Sequence, residues 1–175
     1  MNHTKRIQLR SALFLMAICT SATVLAAVNV DLEVQNQNGV NVLVVTRNNS
    51  QCAGGPIDCI EIKPGSQPHL FFSMQGACSG SDYRLTKFRI AERNKEWPTP
   101  GNKLNSQIAS DFCADPDSGY VNFMTCENDL RDGMMKLKDF NRTPTTVYYE
   151  ITAANCMNAN EEIYLDPRIE NKGNN

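Results

Sequence analysis

The sequence predicts an all-β protein, a single antiparallel β-sandwich with one short helix. Three observations carry this expectation. Apolar and polar residues alternate with a period of two in several short segments, turn residues separate those segments at irregular spacing, and helical periodicity occurs only once. Helix signals between strands are too few for a parallel α/β sheet.

The chain of 175 residues opens on a stretch that reads as a signal peptide, residues 1–27. Lys5, Arg6 and Arg10 form a basic start, residues 12–27 an apolar stretch, and Val24-Leu25-Ala26 or Leu25-Ala26-Ala27 a small-residue cleavage site. Thr20, Ser21 and Thr23 interrupt the apolar stretch, which is too short for a comfortable membrane span. The sandwich domain then occupies residues 28–175, enough for one core and hardly for two.

The elements follow from local pattern. Val28, Val30, Leu32 and Val34 alternate with polar residues, Asn38-Gly39 supplies a type I′ turn, and residues 40–46 form a β-branched run, together a hairpin. Because that second run is apolar on both faces, it is expected at the centre of a sheet. Gly54-Gly55-Pro56 is a loop, residues 57–62 resume a strand, and Lys63-Pro64-Gly65-Ser66 reads as a type II turn. Residues 69–74 and 83–91 are strands, the latter with a bulge near Thr86-Lys87 where the apolar phase changes. Leu104, Ile108 and Phe112 recur every fourth residue and predict a helix ahead of Cys113. Strands are then expected at 120–125, 134–140, 146–153 and 162–165, with a polar loop at 126–133 and a polar tail after Ile169.

Charge narrows the chemistry. The whole chain carries 17 Lys+Arg against 19 Asp+Glu, and the three basic residues of the signal leave with it. The remaining domain is clearly acidic. That excludes a nucleic-acid binder, which draws affinity from Lys and Arg that release counterions. His69 is the one histidine beyond the signal. A blue-copper site or a catalytic zinc needs more than one imidazole, so no metal and no cofactor is expected.

Seven cysteines become six once Cys19 is removed with the signal. Six allow fifteen pairings. Chain proximity favours Cys52 with Cys59 and Cys113 with Cys126, leaving Cys78 with Cys156. Without a Cys-x-x-Cys pair or a neighbouring histidine the reading is a structural framework of three disulfides in an oxidising compartment, periplasmic or extracellular.

Candidate sites are few. No Gly-x-Ser-x-Gly surrounds a serine to make His69 part of a triad. Asp111, Asp115, Asp117, Glu127, Asp129 and Asp132 make residues 111–132 acid-rich, which admits carboxylate hydrolysis as an alternative, although Asp115-Pro116-Asp117-Ser118-Gly119 fails the EF-hand pattern. The favoured surface is basic and aromatic: Arg84, Lys87, Arg89, Arg93 and Trp97, the single tryptophan. In an extended chain Lys87, Arg89, Arg93, Lys95 and Trp97 share one parity and line one face, suited to a protein or glycan partner.

Two segments near the C-terminus carry a resemblance. Val147-Tyr148-Tyr149-Glu150-Ile151-Thr152-Ala153-Ala154-Asn155 resembles the penultimate strand of fibronectin-type and other immunoglobulin-like sandwiches. Leu165-Asp166-Pro167-Arg168-Ile169-Glu170-Asn171 resembles the Asp-Pro-x-Ile-x-Asn ending of small bacterial β-sandwich proteins such as the DP-EP family. The resemblance implies an immunoglobulin-like sandwich of bacterial, exported origin and transfers no functional residue. The expected function is a non-catalytic binding module. Alternatives are a secreted hydrolase using the carboxylates of 111–132 and a structural or assembly subunit of the cell envelope that offers a sheet edge.

Overall fold

The structure is a computed structural model that describes residues 27–172 apart from Gly80 and Asp132. The signal peptide expected at 1–27 lies, but for Ala27, outside the described residues. The strands are β1 (Val28–Gln37), β2 (Val40–Asn48), β3 (Ile60–Ile62), β4 (His69–Met74), β5 (Tyr83–Ala91), β6 (Asp129–Arg131), β7 (Met134–Lys138), β8 (Thr145–Asn155), β9 (Glu162–Leu165) and β10 (Arg168–Asn171), with helix α1 (Ser106–Phe112) after β5. They build two sheets, one ordered β2-β1-β4-β7-β6 and the other β3-β10-β8-β5 with β9 also on β8.

The sheets face each other across an apolar interior, as an all-β sandwich. Leu70 and Phe72 of β4 and Met135 and Leu137 of β7 come from the first sheet; Phe88 and Ile90 of β5 and Val147, Tyr149 and Ile151 of β8 come from the second, all fully buried. Phe72 packs its ring 5.3 Å from Phe88 and 5.6 Å from Tyr149, so aromatic contacts bridge the layers. The buried Tyr149 hydroxyl donates to the Asp58 carbonyl at 3.1 Å, which satisfies the one polar atom carried into that cluster.

Local chemistry set most of these elements as expected. Asn38 and Gly39 adopt φ of 55° and 85°, the positive values a type I′ turn needs. α1 starts at Asn105, whose side chain accepts from the Gln107 amide at 2.9 Å, and stops at Cys113 in the left-handed region. The bulge on β5 falls between Leu85 and Lys87. All three disulfides join the cysteines that chain proximity favours: Cys52 to Cys59, Cys113 to Cys126 and Cys78 to Cys156. The framework fits an oxidising, exported compartment. Among the described residues no helix is long and apolar enough to cross a membrane.

Several expectations are corrected. The sandwich is not purely antiparallel: β1 runs parallel to β4, from Val28 opposite Leu70 to Leu32 opposite Met74, and β10 runs parallel to β3. After β2 the chain lays β3 in the second sheet and re-enters the first as β4 beside β1, a crossover that no local pattern announces. β2 is an edge strand and not a central one. Leu43 and Val45 turn inward, while Val42 and Val44 on the other face are only half-buried and Val40 is exposed. The strand expected at 120–125 shrinks to two bridges, Tyr120 with Arg89 and Val121 with Ala114, before Asn122 to Glu127 turn back toward the Cys113–Cys126 disulfide. β6 forms inside the expected polar loop, and β10 forms where a tail was expected. β9 and β10 continue along the same edge of β8 on either side of Asp166-Pro167, with the Pro167 carbonyl accepting from the Tyr149 amide at 3.0 Å.

Candidate functional site

The second sheet exposes one broad face, and β5 supplies its basic residues. Leu85, Phe88 and Ile90 point into the core, so Arg84, Lys87 and Arg89 point outward once the bulge restores the phase. Arg89 lies opposite Glu150 on β8, Lys87 opposite Thr152, and Thr152 in turn opposite Tyr164 on β9. The register therefore puts cations, carboxylates and a tyrosine side by side.

Arg89 is the centre of this arrangement. Its Nε donates to Glu150 Oε1 at 2.7 Å and its Nη2 to Glu150 Oε2 at 2.9 Å, a bidentate pair. The guanidinium also lies 4.1 Å from the Trp97 ring centroid and 5.6 Å from that of Tyr120. Three side chains thus fix one plane. Weakly hydrated, delocalised guanidinium tolerates such partial burial where an ammonium would not.

Two loops deliver the aromatic rings. β5 ends at Ala91, residues 92–96 form a turn, and Trp97 comes back half-buried against Arg89. Tyr120 arrives because residues 119–121 cover the outer edge of β5: the Gly119 carbonyl accepts from the Ile90 amide and the Val121 amide donates to the Phe88 carbonyl, both at 2.9 Å. Gly119 has φ of 75°, and a Cβ there would stand 2.3 Å from the Ile90 carbonyl oxygen. Only glycine permits that approach.

Lys87 pairs with Glu162 at 2.7 Å, and the Tyr164 hydroxyl donates to the other oxygen of Glu162 at 3.1 Å. The shared hydrogen bonds hold Glu162 below the usual carboxylate range and raise both Lys87 and Tyr164. Both members of the ion pair therefore stay charged across the neutral range. Tyr164 is 52% exposed and Tyr120 38%, enough for each to offer a ring surface to a ligand.

The remaining predicted residues join this face unevenly. Arg93 sits on the exposed turn, 3.4 Å from Glu96, and Lys95 adopts φ of 61°; the extended run that would have aligned them with Trp97 ends at Ala91. Arg84 is exposed nearer the Cys78 end of the sheet. Glu150, Glu162, Tyr120 and Tyr164 belong to the site and were not among the residues singled out from sequence. Glu150 had a signal, as a lone charge inside the apolar run of β8.

Among the described residues the acid-rich segment does not assemble into one cluster. Asp111 is buried against Arg142 at 2.9 Å, Asp117 pairs with Lys103 at 2.7 Å, and Asp129 with Arg131 at 2.7 Å. Asp115 accepts from the amides of Asp117 and Ser118, which lowers its pKa. Glu127 accepts from His69 Nε2 at 2.9 Å, and this contact lowers the pKa of Glu127. Each described carboxylate of this segment is thus engaged by its own partner, and Asp132 lies outside the described residues. The Cys52 and Cys59 sulfurs and Glu170 lie within 4.8 Å of one another, but the disulfide removes the thiolates a metal would need. Compared with known proteins, the chain matches no family model and no curated protein.

Proposed function

We propose that this chain is an exported, non-catalytic binding module, acting in the periplasm or outside the cell, that holds a glycan on the outer face of its second sheet. The observation that carries this reading is the setting of Arg89, neutralised by Glu150 and stacked on Trp97, with Tyr120 and Tyr164 exposed beside it. A sugar ring has an apolar face of C–H groups and a fringe of hydroxyls. Tyrosine rings suit the first, and fixed Arg–Glu and Lys–Glu pairs, which both donate and accept, suit the second. A polyanion is less well served, because Lys87, Arg89 and Arg93 already have carboxylate partners.

The test is capture on a glycan array by the oxidised protein without residues 1–27. Replacing Tyr120 and Tyr164 together by alanine should weaken capture by about tenfold or more, while Lys63→Gln on a distant turn leaves it unchanged. If the double variant keeps its fold and captures as the parent does, this face is not the binding surface.

A further inference from the structure

The first sheet carries an open strand edge, apart from the face proposed above. β1 runs to Gln37, but its parallel ladder with β4 stops at Leu32 opposite Met74. Residues 33–37 pair with β2 on one side only, and no loop among the described residues returns a backbone hydrogen bond to them. Half of the strand therefore keeps an open edge in the middle of the sheet order. Solvent-facing edges of this kind are what strand-adding peptides recognise.

That edge borders a cleft of about 710 Å³ lined by Glu33, Val34, Met74, Asp82 and Tyr83 among others. The far wall is fixed. The Asp82 carbonyl accepts from the Cys156 amide at 2.7 Å beside the Cys78–Cys156 disulfide, and the Tyr83 hydroxyl is held by Asn41 and Glu161. Along the floor, Val34 packs on the core and Met74 is buried. The outward positions differ in character. Asp31 and Glu33 stand two residues apart on β1, Asp82 lies across from them, and neither Glu33 nor Asp82 has an ion-pair partner among the described residues. Among the described residues no lysine or arginine lines the cleft.

We infer that this cleft takes an extended polypeptide segment that adds to β1 in the lane β4 leaves at Met74, with small apolar side chains turned inward over Val34 and Met74 and lysine or arginine turned outward between Glu33 and Asp82. The period-two alternation of a strand presents those two kinds of side chain to opposite faces. Backbone hydrogen bonds to residues 33–37 supply affinity without regard to sequence, and the acidic rim selects a basic partner.

The probe is a fluorescent, end-capped hexapeptide Lys-Val-Lys-Val-Lys-Val, titrated by anisotropy onto the oxidised protein and followed by amide hydrogen exchange. Binding should slow exchange at residues 33–37. Of the two alternately N-methylated forms of the peptide, one must block the edge and should bind about tenfold more weakly or worse at unchanged charge, as should Glu-Val-Glu-Val-Glu-Val. Glu33→Lys with Asp82→Lys should match that loss, while Glu61→Lys on the other sheet should not. The proposal is overturned by any of four results: equal binding of both N-methylated forms, protection confined to other strands, no effect of the double variant, or no binding at all. Self-association of the chain through this same edge in place of peptide capture would overturn it as well.

Discussion

Asn171 Nδ2 lies 3.5 Å from Asp139 Oδ1, and the other oxygen of the carboxyl, Asp139 Oδ2, and the amide oxygen, Asn171 Oδ1, are each buried without a hydrogen-bond partner. One proton on Asp139 would serve both orphaned atoms, since a carboxylic acid can donate to an amide oxygen while its carbonyl oxygen accepts from the amide nitrogen. This contact ties the last residue of β10 to the corner that follows β7.

Burial, with a smaller contribution from Asp111 on α1, pushes the Asp139 carboxyl up to about 7 against the opposing Asn141 amide, Asn171 side chain and Lys138. Arg142 faces Asp111 from the same corner. Because the folded value exceeds the ordinary 3.8, the folded state binds the extra proton between those two pH values, and stability falls as pH rises through that window. The slope is on the order of 1 kcal/mol per pH unit. Urea melts from pH 5 to pH 8 should show that decline. Asp139→Asn, whose amide can donate to Asn171 without a proton, should flatten the curve and be the more stable protein at pH 8.

Arg89 and Glu150 form the most buried ion pair on the proposed glycan face. Arg89→Met strands a carboxylate that is 7% exposed, and should cost about 3 kcal/mol by the usual penalty for breaking a buried pair. Adding Glu150→Met should recover most of that loss, because two apolar side chains remove the uncompensated charge. A double-mutant cycle by chemical denaturation checks both, and additive losses would show that the pair is not coupled.

The disulfides should differ in worth. Cys78–Cys156 closes a loop of 78 residues and Cys52–Cys59 one of 7. Chain entropy gives roughly 4.5 and 2.4 kcal/mol respectively. Replacing Cys78 and Cys156 by serine should therefore lower the denaturation midpoint more than replacing Cys52 and Cys59. It should also loosen the Asp82 wall of the β1 cleft, visible as faster exchange of the backbone amide at position 156, which donates to the Asp82 carbonyl.

Much of the fold was legible because its signals are local. The Asn38-Gly39 hairpin, the α1 spacing of Leu104, Ile108 and Phe112, and the bulge on β5 each depend on residues within a few positions of one another. The cysteine pairing was favoured by proximity for the same reason, and the remaining pair followed. What failed was non-local. An apolar run such as residues 40–46 does not reveal which neighbours cover it, so β2 was placed centrally when it is an edge.

The candidate site divides along the same line. Lys87 and Arg89 were visible as outward residues of an alternating strand, whereas Glu150 and Tyr164 reach them only through strand register, and Tyr120 through the contact of Gly119 with the edge of β5. By itself the sequence determined the β class, the acidic domain, the disulfide framework and the basic stretch, all set by composition and short-range pattern. Only the tertiary structure decided that Lys87 and Arg89 are paired across strands, that β1 runs parallel to β4, and that its last residues keep an open edge. Hydrogen bonds between strands distant in the chain depend on which strands become neighbours, and no stretch of the sequence encodes that choice alone.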